Sequence, residues 1–181
     1  MIYVFLADGF EEAEALVTVD ILRRAGYKVT CVGVDKKEIV GAHGIKVTAD
    51  IKTGEYSPVA LEAVVLPGGM PGTKNLMANA TVTSAVKYAF AHGKIVAAIC
   101  AAPSILGRLG ILKGKAATCY PGFEEELKGA RYVNAPSVTD GKIITAKGAG
   151  SVFEFGFGIV DVLEGRVGAS DSLREAMQCA R

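Results

Sequence analysis

Apolar residues fall along this chain in short unbroken runs separated by amphipathic stretches, and that alternation predicts strands and helices in turn. Ile2–Ala7 is a continuous apolar run ended by Asp8-Gly9, the pattern of a strand buried on both faces. Glu11–Ala25 has helical composition and stops at Gly26, a residue suited to the position just past a helix end. Lys28–Val34 is β-branched and predicts the second strand, whereas Ile45–Ala49 alternates apolar and polar residues as a more exposed strand does. Ala63–Leu66, closed by Pro67-Gly68-Gly69, and Lys94–Ile99 predict two further buried strands. A helix over about Val82–His92, ended by Gly93, precedes the second of these, and a helix over Pro103–Leu109 follows it. Ala116–Cys119 and Arg131–Val133 predict short strands, and Val138–Ala146 a hairpin around Asp140-Gly141, a dipeptide suited to a type I′ turn. Ser151-Val152-Phe153-Glu154 matches a capping box and starts a helix running to about Leu163, with one more helix over Ser170–Cys179.

Alternating β and α units joined by short loops imply a mostly parallel sheet with helices on both faces. In such sheets the working site lies beyond the carboxyl ends of the strands. Three loops therefore carry the candidate chemistry: those after Ala7, after Leu66 and after Ile99.

Length and charge narrow the functional classes. The 181 residues predict one domain, and with half of them hydrophobic there is enough apolar material for a full core. Lys and Arg total 20 against 19 acids, a balance that argues against a nucleic-acid binder or an anionic-membrane binder. The N-terminus lacks the basic region of a signal peptide, and the longest uncharged stretch, Ile95–Gly107, falls short of the roughly 20 apolar residues a membrane span needs. The four cysteines, Cys31, Cys100, Cys119 and Cys179, are scattered without a CxxC or a His-Cys cluster. They predict reduced thiols in a cytoplasmic protein rather than a disulfide framework or a zinc module, and the pattern calls for no metal or cofactor. The 22 glycines suggest many tight turns or close backbone approaches.

Of the four thiols, Cys100 has the setting that matters. It stands where a buried strand turns directly into a helix, among the small residues Ala97, Ala98, Ala101 and Ala102, as in a nucleophile elbow. N–H groups at the start of the next helix would favour the thiolate; the alternative is a small buried hydrophobe, as most free cysteines are. Gly68-Gly69 allows backbone to come close to a reacting atom, so an N–H from Gly69 paired with one near Ala101 forms a candidate oxyanion hole, or else the pair is only a tight turn. Glu11, Glu12 and Glu14 have a default explanation as acids complementing the dipole of a first helical turn. Glu14, however, shares a helical stripe with Thr18, Ile21 and Ala25, which would desolvate it and raise its pKa; Glu11 falls near Leu22 and is a weaker candidate. A base for the cysteine is harder to find. His92 lies a whole strand away, roughly 20 Å at ~3.3 Å per residue, and His43 sits in a loop of unfixed position. Cys119, beside Tyr120-Pro121, is a further residue that could lie near the site.

Four segments in order, Asp8-Gly9-Phe10-Glu11-Glu12-Ala13-Glu14, Val64-Val65-Leu66-Pro67-Gly68-Gly69, Ala98-Ile99-Cys100-Ala101-Ala102-Pro103 and Lys147-Gly148-Ala149-Gly150-Ser151, resemble the DJ-1/PfpI superfamily, in its DJ-1-like branch, over essentially the whole chain. The resemblance implies an α/β, flavodoxin-like (Rossmann-like) three-layer sandwich and a homodimer. It also implies a reactive Cys100, a protonated Glu14 bonded to it, and oxyanion-binding N–H groups at Gly69 and Ala101. Activities assigned within the family are glyoxalase or deglycase action on α-oxoaldehydes, oxidant sensing through cysteine sulfinate, and chaperoning. Two departures bear on these. Ala101 replaces the histidine that follows the cysteine in the protease-like branch, and Tyr120 stands where several DJ-1-like members carry a histidine. The first argues against a peptidase; the second leaves Tyr120 or His43 as an accessory group and points to slow catalysis or to sensing. The first helix, Glu11–Ala25, carries apolar residues around most of its circumference, more than covering one sheet needs, and so predicts a face for a second copy. The expected small partner is an aldehyde or an oxidant.

Overall fold

The computed structural model describes residues 1–179. Strands β1 (Ile2–Leu6), β2 (Val29–Gly33), β3 (Glu38–Val40), β4 (Lys46–Thr48), β5 (Ile51–Lys52), β6 (Ala63–Leu66), β7 (Ile95–Ile99), β8 (Ala116–Ala117), β9 (Arg131–Tyr132), β10 (Ser137–Asp140) and β11 (Ile143–Ala146) alternate with six helices. These are α1 (Glu12–Arg24), α2 (Gly72–Ala78), α3 (Ala80–Ala91), α4 (Pro103–Arg108), α5 (Val152–Glu164) and α6 (Asp171–Ala176). The main sheet has seven strands in the order β10-β11-β7-β6-β1-β2-β5, parallel throughout except for the β10–β11 hairpin at one edge. This is the α/β fold that the alternating pattern predicts.

Period-two alternation divides the core into two layers. Ile2, Val4 and Leu6 of β1 pack with Ala15, Val19, Ile21 and Leu22 of α1 and with Phe155, Phe157 and Ile159 of α5. Tyr3, Phe5 and Ala7 face the other way, onto Leu76, Val82, Val86, Ile105 and Leu106 of α2, α3 and α4. Central strands buried on both faces have no polar side, which is why they read as unbroken apolar runs.

Several details depart from the sequence pattern. The strand expected at Ile45–Ala49 is β4, and it pairs antiparallel with β3, outside the main sheet. This small hairpin docks on the loop after β1: Gly9 N–H donates to Val40 O at 2.8 Å, and Ala42 N–H donates to Phe10 O at 2.8 Å. Residues 72–78 form α2, a helix with no apolar stripe to announce it. The β10–β11 connection is Gly141-Lys142, since Asp140 pairs with Ile143; Gly141 carries the positive φ of 63°, the pattern of a type II′ turn. Ser151 makes no side-chain cap, because a 3-10 turn over Ala149–Ser151 leads into α5. Cys179 lies beyond the end of α6.

Candidate active site

Cys100 is the first residue of the three-residue turn that joins β7 to α4. Its φ of 65° lies in the left-handed region, uncommon for a residue with a side chain, and surrounding bonds hold it there. Its N–H donates to Ala146 O at 2.9 Å, and its carbonyl accepts the N–H of Tyr120 at 2.8 Å. The N–H groups of Gly69 and Ala101 both donate toward the thiol. Because α4 has only six residues, this field comes from two local N–H groups rather than from a long helix.

The backbone of Gly68 lies against this turn. A Cβ there would sit 2.5 Å from Cys100 Cβ and 2.9 Å from Ile99 O, so the position requires glycine. Gly69, at φ 88°, packs as closely on the loop after β1: its Cβ would fall 2.4 Å from Glu11 N. Glycine excess thus converts into contact between the β1 and β6 loops, sealed by the Glu11 N–H donating to Gly68 O at 3.0 Å.

Glu14 comes to the thiol from the first turn of α1. It is 1% exposed, as its helical stripe predicts, and its Oε2 accepts the Gly68 N–H at 2.8 Å. Burial pushes its pKa up to about 7, against the opposing bonds from Gly68 and from the Cys100 thiol. Cys100 is itself raised, first by burial and then by the negative charge of Glu14, while the Gly69 and Ala101 N–H groups pull it down. When the proton sits on Glu14 the second of the raising causes disappears and both N–H donors remain. The two titrations are therefore coupled: burial and the Glu14 charge push the Cys100 thiol up to about 12, and a proton on Glu14 relieves the second of these causes.

The accessory candidates separate. Tyr120 lies at the rim, half exposed, with its ring beside Gly148, whose backbone in turn approaches Glu14 Oε1. His43 is tied elsewhere: its N–H donates to Glu12 Oε1 at 2.7 Å and its Nδ1 lies 2.8 Å from Glu12 Oε2, with Glu11 at 3.6 Å. The Glu12 contact, followed by the charge of Glu11, raises the His43 pKa. His43 thus clamps the β3–β4 hairpin instead of serving the thiol. Among the described residues, Glu11, Glu12 and His43 are the one group whose ligand atoms lie close enough to hold a metal. Both Glu12 oxygens already take hydrogen bonds from the hairpin, so the group is a clasp. His92 ends α3, stacked on Tyr88 and exposed.

Burial also raises the thiols of Cys31 and Cys119, to about 11 each. Cys119 has one N–H donor, from Phe123. Neither matches the two donors and buried acid around Cys100. Gly68 and Gly148, which shape the pocket around Glu14, carry no signal of their own beyond being glycines at strand ends.

Known proteins similar to this chain are numerous. The chain is 40% identical over 164 residues to Protein DJ-1 homolog B of Arabidopsis thaliana, covering 89% of this chain but 37% of that protein. It is 35% identical over 166 residues to Protein dj-1beta of Drosophila melanogaster, covering 90% and 89%. A protein named as a deglycase in Pyrococcus abyssi is 31% identical over 154 residues, covering 84% and 92%. The crystal structure of a DJ-1 superfamily protein of Salmonella typhimurium superposes with a TM-score of 0.93 at 37% identity, covering 99% and 98% of the two chains. The description of the DJ-1/PfpI family matches residues 1–162, and with these relatives it shows that the chain belongs to the DJ-1/PfpI family.

Proposed function

We propose that this protein is a cysteine-dependent catalyst acting on small α-oxoaldehydes, converting methylglyoxal and water to lactate. The observation that carries this reading is the buried Glu14 bonded to Cys100, with the N–H groups of Gly69 and Ala101 aimed at the same sulfur. The thiolate adds to the aldehyde carbon, and the resulting alkoxide takes the Glu14 proton, giving a hemithioacetal. The two N–H groups stabilise the developing oxyanion. Glu14, now ionised, removes the proton from the former aldehyde carbon and returns it to the neighbouring carbon, while the hemithioacetal hydroxyl proton passes to the former ketone oxygen, leaving a lactoyl thioester. Water hydrolyses that thioester, releasing lactate and restoring the thiol. The deglycase name of the Pyrococcus relative supports substrates of this class.

Tyr120 favours a second reading. Its hydroxyl holds no hydrogen bond among the described residues, so no neighbour there orients it or takes its proton as a base for thioester hydrolysis would need. In the alternative, hydrogen peroxide oxidises the Cys100 thiolate to sulfenate with loss of water, a second peroxide gives the sulfinate, and protonated Glu14 donates to the product. The exposed face of α1, formed by Ala13 and Leu16 opposite the side packed on α5, supports pairing with a second copy.

Lactate formation from methylglyoxal decides between the readings. Wild type is expected to produce lactate, Cys100→Ser to produce none, and Glu14→Gln to lose at least about 100-fold. No turnover by wild type, with peroxide oxidising Cys100 ahead of Cys31 and Cys119 by mass spectrometry, would leave only the sensor. Light scattering of the same sample is expected to give twice the chain mass.

A further inference from the structure

A second cavity, of about 570 Å³, opens at the ends of β1 and β2, on the sheet face opposite α1 and separate from the residues around Cys100. It is lined by the apolar residues Ala7, Val34 and Ala78 and by the polar side chains of Asp8, Asp35, Lys36, Asn75 and Asn79. The volume is that of a small-molecule site, and the place is where parallel sheets hold ligands.

The polar groups are fixed by one another in a way that leaves particular atoms unused. Asp35 is held at φ 61°, and its Oδ1 accepts both Thr53 Oγ1 at 3.1 Å and Asn79 Nδ2 at 3.2 Å. No hydrogen bond among the described residues reaches its Oδ2. The Asn75 Nδ2 donates to Asp8 O at 2.8 Å, which orients the amide, and no hydrogen bond among the described residues reaches its Oδ1. Lys36 Nζ lies 2.7 Å from Asp8 Oδ2 and has further N–H bonds to give. The cavity therefore offers two fixed acceptors and one donor.

Charge selects the ligand class. Two carboxylates repel a phosphate or another anion. A cation would have to displace Lys36 from Asp8, and the small apolar part of the lining gives an apolar ligand little to bury. Neighbouring hydroxyl groups fit, because each can donate to a fixed acceptor while accepting from the ammonium. A carboxylate at the end of the second strand of a parallel sheet holds ribose hydroxyls by the same chemistry in dinucleotide-binding folds.

We propose that the cavity between the ends of β1 and β2 binds the vicinal diol of a ribose-type sugar, free or within a nucleoside, on Asp35, Asn75 and Lys36. The site does not depend on the reading of Cys100. Its test is an amide NMR titration of the whole protein with D-ribose, adenosine and magnesium chloride, to about 50 mM each, since single-sugar sites are commonly weak. D-ribose is expected to give saturable shifts at Asp8, Asp35, Lys36, Asn75 and Asn79 while the Cys100 amide stays still. Asp35→Asn keeps the side-chain shape and removes the charged acceptor, and Lys36→Met removes the donor; each should weaken binding about tenfold, as loss of a charged hydrogen bond does. Tighter binding of adenosine than of D-ribose at the same amides identifies a nucleoside as the source, and equal binding a free sugar. The proposal is overturned if neither compound gives saturable shifts, if both variants bind like wild type, or if magnesium moves these amides at lower concentration than the sugar.

Discussion

Glu12 and Glu14 stand two residues apart on the same helix, both almost fully buried at 5% and 1% exposure, yet their pKa values shift in opposite directions. Burial raises both, but at Glu12 the bonds from His43 and from backbone N–H groups outweigh it, and the net shift is downward. At Glu14 burial wins over the Gly68 N–H and the thiol, and the pKa rises to about 7. Donor supply, not depth, decides which carboxylate keeps its charge. Two residues of helix turn the side chains about 200° apart. One therefore meets the β3–β4 hairpin and the other the reactive thiol. Each is also roofed by a glycine: a Cβ at Gly41 would meet Glu12 Oε1 at 2.2 Å, and one at Gly68 would meet Glu14 Oε2 at 2.8 Å.

The two roofs are the sharpest place to break this comparison. At Gly68 an added methyl collides with Cys100 Cβ and the Ile99 carbonyl, which cannot move without moving β7. Gly68→Ala is expected to cost about 3 kcal/mol in urea unfolding and to remove Cys100 reactivity, whereas Gly41→Ala meets the Glu12 side chain from Cγ to Oε1 but no backbone, and should cost about 2 kcal/mol. Equal costs would mean that the two sites are built alike. The next effect concerns pH. Glu14 ionises near 4.5 when unfolded and about 7 when folded, so between those values the folded protein holds the extra proton and stability falls as pH rises. Glu14→Gln should lack that fall and gain on wild type by roughly 3 kcal/mol across the window, read from urea midpoints at several pH values. The smallest effect falls on the hairpin. His43, raised by Glu12, contributes stability below its unfolded pKa of 6.5 that is lost as pH climbs through the higher folded value. His43→Ala should speed amide exchange of Gly41 and Ala42 below pH 6.5, with a smaller effect in alkaline buffer and no change in lactate formation.

Buried strands were legible because their signal is local. Ala63–Leu66 has the bounds its apolar run predicts, β1 and β7 differ from theirs by a residue at one end, and β2 by a residue at each end. Elements without a local signal were not. Glu38–Val40 is short and begins with a charge, and it is a strand only because β4 and the loop after β1 supply its partners. Glu14 could be picked out because an acid on an apolar stripe is visible on a helical wheel. Glu12 could not, since its cover comes from residues about 30 positions away. His43 is the counterpart of that miss: in sequence it is a loop histidine without address, and in space it is the second half of the Glu12 clasp.

By itself the sequence determined the parallel α/β architecture, the strand-to-helix turn at Cys100 and the desolvated side of α1 that carries Glu14. All three follow from apolar periodicity and from small residues close together in the chain. Only the tertiary structure decided which carboxylate has its pKa raised and which has it lowered, and that His43 serves the hairpin. Those outcomes depend on backbone donors brought together from separate loops, and a hydrogen bond between residues tens of positions apart leaves no pattern along the chain.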